Sequence, residues 1–118
     1  METQDDLPLD GAIIILMLEK SEASKLEFEL QQLGADVRAG TAKGHAAQLT
    51  RLLAPYAVVV DPEFDPTVAE ELRIAARDVD VTFIQYAQDG FGHEGGIRIS
   101  RAEPLSAVVE AILGLAAG

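Results

Sequence analysis

Asp61 follows the apolar run Tyr56-Ala57-Val58-Val59-Val60. An aspartate at the end of a buried strand either caps the next segment through local N–H groups or contributes to a site. Open α/β sheets place their sites at the carboxyl ends of the strands. A second set of residues has the chemistry of anion recognition. Arg73, Arg77, Arg98 and Arg101 are four of the nine basic residues, and Tyr86 and Phe91 fall between them in sequence. Guanidinium groups beside aromatic rings hold planar anions by forked hydrogen bonds and stacking. Scattered on a surface, the same arginines only cover apolar area with their stems.

Other chemistries find no support. The chain has two histidines, His45 and His93, and no cysteine, so a structural zinc site, a thiolate nucleophile and a disulfide framework are all disfavoured. No serine, histidine and acid form a triad order. Gly90-Phe91-Gly92 and Gly95-Gly96 are followed by no Lys-Ser or Lys-Thr and open no helix, so they do not make a phosphate loop. The residues point to a binding or regulatory module, not an enzyme, and to no cofactor.

The elements that must carry these side chains alternate along the chain. Ala12 to Leu18 is a continuous aliphatic run, as in a strand buried on both faces of a parallel sheet. Ser21 caps a helix with Leu26, Leu30 and Leu33 at helical spacing, and Gly34 ends it. Asp36 to Ala39 is a second strand. Thr41 caps a helix carrying Ala46, Leu49, Leu52 and Leu53. Tyr56 to Val60 is the third strand. Asp65-Pro66 is a cap followed by proline at the first helical position, and Val68, Leu72 and Ala75 mark that helix. Val81 to Ile84 and Ile97 to Ser100 are the last strands. Pro104 opens a final helix with Leu105, Val108, Val109 and Ile112. Gln88 to Gly96 is too glycine-rich for a stable helix, so a fourth crossover helix is short or missing, leaving an exposed apolar strip with Phe91 and Ile97 or Ile99.

Alternating strands and helices predict a doubly wound α/β sheet of five parallel strands. Residues 1–10 read as a flexible lead-in and 11–118 as the domain. At 118 residues there is room for one domain, with a core built of aliphatic side chains because only 5% of residues are aromatic. The net charge of −11 repels nucleic acid and anionic lipid, so no DNA and no membrane partner is expected. No apolar run is long enough to span a bilayer, the start has no basic signal-peptide region, and a cytoplasmic location is expected.

In element order, spacing and the position of Asp61, residues 12 to 115 resemble a receiver domain of two-component response regulators. The resemblance implies a flavodoxin-like strand order of 2-1-3-4-5. It assigns Asp61 to the phosphoacceptor position. The family's acidic pair, which helps hold Mg²⁺, falls on Glu19 and Lys20. The small hydroxyl at the end of strand four falls on Tyr86 or Ala87. The lysine of strand five falls on Arg101, followed by Ala102 where the family has proline. An ammonium at Lys20 removes a metal ligand and adds a like charge. At ~4 Å and an effective dielectric near 20, two unit charges interact by roughly 4 kcal/mol. Lys20 would instead pair with Asp61 or Glu19 in place of the metal.

The expectation is a degenerate pseudo-receiver, of the kind found in hybrid histidine kinases, that acts in a phosphorelay through contacts with a histidine kinase or another signalling domain. Two alternatives stay open. One is an active receiver that takes a phosphoryl group on Asp61. The other is a sensor whose open face, with Arg73, Arg77, Tyr86, Phe91, Arg98 and Arg101, binds a nucleotide such as cyclic di-GMP. A homodimer through the same face is a third use of that surface.

Overall fold

The five apolar runs pair side by side as parallel strands. A computed structural model describes residues 7–39, 45–63, 65–88 and 96–117. The strands are β1 (Ile13–Met17), β2 (Asp36–Ala39), β3 (Ala57–Val60), β4 (Thr82–Ala87) and β5 (Ile97–Ser100). The helices are α1 (Lys20–Gln32), α2 (His45–Leu53), α3 (Pro66–Asp78) and α4 (Leu105–Ala117). The sheet order is β2-β1-β3-β4-β5, the flavodoxin-like arrangement, and every neighbouring pair is parallel. The chain starts in the middle of the sheet, steps out to one edge, returns, and winds to the other edge.

That path divides the core into two layers. Ile14, Leu16, Val59, Ile84 and Tyr86 face α1 and α4, where Leu26, Leu30, Val108 and Ile112 meet them. Ile15, Met17, Val58, Val60 and Phe83 face α2 and α3, where Ala46, Val68, Leu72 and Ala76 meet them. The central strand β3 is buried at all four positions, as a strand covered on both faces must be.

Local signals set the helix ends. Asp65 Oδ1 accepts from the Val68 amide at 3.1 Å, and Pro66 supplies the first helical residue of α3. Gly34, at φ +99°, turns the chain out of α1. The cap of α1 differs from expectation. Glu19, not Ser21, occupies the N-cap, and its carboxylate accepts from the Ser21 amide at 3.1 Å. Thr41 lies outside the described residues.

Three other expectations change. The lead-in loses its last residues to the domain: Leu9 is 2% exposed, and its amide donates to the Leu33 carbonyl at 2.8 Å. Strand β4 runs on to Ala87 instead of stopping at Ile84, because Ile84 to Ala87 pair with Ile97 to Ser100 of β5. Ile97 and Ile99 do not form an exposed strip; both are half-buried against the α1–α4 layer. No helix is described between β4 and β5, and residues 89–95, Phe91 and His93 among them, lie outside the described residues.

Candidate functional site

The sheet register gathers the carboxyl ends of β1, β3, β4 and β5. Met17 pairs with Val60, and the Asp61 amide donates to the Met17 carbonyl at 3.0 Å, so Asp61 leaves β3 beside the end of β1. Ala87 pairs with Ser100, and the Arg101 amide donates to the Ala87 carbonyl at 3.0 Å. Asp61 and Arg101 thus emerge at the same rim, separated by β4.

Both oxygens of the Asp61 carboxylate are engaged. Oδ1 accepts from the Glu63 amide at 2.9 Å, and Oδ2 accepts from Arg101 Nη2 at 2.6 Å. The side chain is 8% exposed. Arg101 reaches across to a second carboxylate, that of Glu22 in the first turn of α1. Nη2 donates to Glu22 Oε1 at 2.6 Å and Nη1 donates to Oε2, a two-pronged pairing. The guanidinium lies over the Tyr86 ring, 4.8 Å from its centroid. The Tyr86 hydroxyl donates to the Glu103 carbonyl at 2.6 Å. One cation therefore ties β3, α1, β4 and the turn before α4 together.

The electrostatics follow from two carboxylates around one guanidinium. The bonds that Arg101 donates to Glu22, against the opposing effect of partial burial and with the help of Asp61, push the Arg101 pKa up, so it stays charged. Burial pushes the Tyr86 phenol up, partly offset by Arg101. Glu19 caps α1, and Arg101 is only a minor influence on it. The Ser21 hydroxyl, then the Ser21 and Glu22 amides, hold its carboxyl below the usual value, as suits a helix cap.

The structure brings Asp61, Tyr86 and Arg101 of the expected site residues into contact; Glu19 interacts with Arg101 only as a nearby charge, and Lys20 does not join them. Glu19 is turned back onto α1. Lys20 is the first residue of that helix, is exposed, and makes no ion pair with Asp61 or Glu19. The cation beside Asp61 is Arg101. Its long, forked side chain spans from the end of β5 to both carboxylates. Among the described residues no group of three His, Asp or Glu side chains converges as a metal site would. On the α3 side of Asp61, the crevice lined by Met17, Asp65 and Val68 has no room for a water-sized sphere.

The six-residue face expected for a ligand is not one surface among the described residues. Tyr86 and Arg101 stand at the carboxyl rim. Arg73 and Arg77 line a cleft at the opposite, amino ends of β4 and β5. Arg98 is exposed on the β5 edge strand, on the face opposite Ile97 and Ile99. Phe91 lies outside the described residues. Sequence reasoning missed Glu22 and the Glu103 carbonyl. Glu22 carried one signal: the first turn of a helix that follows β1 sits at the carboxyl rim, and an acid there suits the helix dipole.

Comparison with family models and with curated proteins finds no match for this chain.

Proposed function

We propose that this domain is a signalling module of the receiver type that works in the cytoplasm through contacts with a histidine kinase or another signalling domain, and does not carry a phosphoryl group on Asp61. The observation that supports it is the occupied state of the rim. A carboxylate that accepts a phosphoryl group needs an oxygen free to attack and a cation to neutralise the transferring oxygens. Here both Asp61 oxygens are bonded, the side chain is 8% exposed, and the neighbouring cation is already shared with Glu22. The sheet order and the position of Asp61 favour a receiver ancestry. The end of β4 adds to the argument: Tyr86 and Ala87 offer no small hydroxyl, and the Tyr86 hydroxyl is held by Glu103.

The test is direct. The chain is incubated with phosphoramidate and Mg²⁺ and its intact mass is followed. No phosphoryl adduct is expected. An adduct that forms on the wild type and disappears in Asp61→Asn overturns the reading in favour of an active receiver.

A further inference from the structure

The two arginines that the carboxyl rim leaves out have a setting of their own. Arg73 and Arg77 lie one turn apart on α3, on one side of the helix. Both line a cleft of about 450 Å³ between α3, the start of β4, the start of β5 and the last turn of α4. Its apolar walls are Val81, Phe83, Ile97 and Leu115, and Thr82 adds a hydroxyl-bearing residue. That is the size of a small-molecule pocket, about 300–1,000 Å³, and the usual mix of apolar wall with a few polar groups. A second cleft, of about 440 Å³ beside Leu9 and Tyr56, also has Leu115 in its lining.

We propose that this cleft binds a small monocarboxylate with an apolar tail, its carboxylate on the Arg77 guanidinium and its tail along Val81, Ile97 and Leu115. Charge selects the head group. In a chain of net charge −11, the lining of this cleft carries two guanidiniums against one carboxylate, Asp80, and so attracts a singly charged anion more than its surroundings do. Arg73 is forked onto Glu70 at 2.9 and 2.6 Å, which holds it as part of the wall. Arg77 has donors to spare: its side chain is 69% exposed, and its nearest paired carboxylate, Asp78, is 3.9 Å away and bonded to Arg51 at 3.0 Å. Asp80 on the rim disfavours a doubly charged head such as phosphate. The flat, forked guanidinium matches a carboxylate. This site is at the other end of the sheet from Asp61, so its fate is independent of the phosphorylation result.

The experiment titrates the full chain with octanoate, 1-octanol and inorganic phosphate, following backbone amide shifts. Octanoate is expected to give saturable shifts at Arg77, Val81, Thr82 and Ile97, with octanol and phosphate at least 10-fold weaker. Arg77→Ala is expected to weaken octanoate about 10-fold or more, the loss of one charge-assisted bond, and Arg77→Lys to weaken it less. Arg77 is exposed, so both variants keep the wild-type amide pattern elsewhere. No saturable shift with octanoate, equal binding of octanol or phosphate, or unchanged affinity in Arg77→Ala each overturns the proposal.

Discussion

Arg101 is the residue on which the carboxyl rim depends. Its guanidinium neutralises a carboxylate that is 8% exposed and a second that is 23% exposed. Removing one partner of such a cluster leaves charge without compensation, which costs more than the pair contributes when intact. Arg101→Ala is therefore expected to lower stability to urea by about 3 kcal/mol, the low end for a buried pair because the cluster is partly solvated. Adding Asp61→Asn should restore part of that loss, with a coupling of at least about 1 kcal/mol between the two sites. Additive effects would mean that the 2.6 Å contact contributes nothing of its own. The sequence marked Asp61, Tyr86 and Arg101 as site positions. The resemblance assigns the compensating charge to Lys20, because the family's acidic pair falls on Glu19 and Lys20. Arg101 and Glu22 are 79 positions apart, and only the closed sheet makes them neighbours.

At the scale of elements, two glycines show how differently the backbone uses the same residue. Gly96 enters β5 at φ +75°, and a Cβ there would lie 2.2 Å from the Phe83 carbonyl oxygen of β4. Any side chain must push β5 off β4. Gly96→Ala is expected to cost about 2 kcal/mol or more, since the strained φ adds to the clash. Gly114 sits in α4 with nothing within 4 Å of its missing Cβ. Gly114→Ala should stabilise the chain by about 0.5–1 kcal/mol through helix propensity. Thermal unfolding of both variants checks the pair, and a stabilised Gly96→Ala would contradict the β4–β5 geometry. Elements were the most legible level of the sequence. Strands β2 and β5 begin and end where aliphatic alternation and glycines say. Strand β4 is longer than the apolar letters Val81 to Ile84 indicate: Gln85 is polar, yet it is fully buried in the sheet.

For the whole molecule, charge is the dominant long-range quantity. Twenty acidic residues against nine basic ones make the folded chain repel itself. Raising NaCl from 10 to 200 mM shortens the Debye length from about 30 Å to under 10 Å, so the melting temperature is expected to rise. A fall would mean that surface ion pairs such as Arg51–Asp78 outweigh the repulsion. The α/β class, the five strands, the aliphatic core and the Asp65-Pro66 helix start were all determined by the sequence itself. Each rests on local periodicity or on hydrogen bonds spanning three or four residues, which neighbouring letters record. The docking of Leu9, the bond from Arg101 to Asp61 across 40 positions, and the separation of Arg73 and Arg77 from Arg101 were decided only by the tertiary structure. They depend on strand order and register, which bring distant segments to one end of the sheet and send nearby ones to opposite ends.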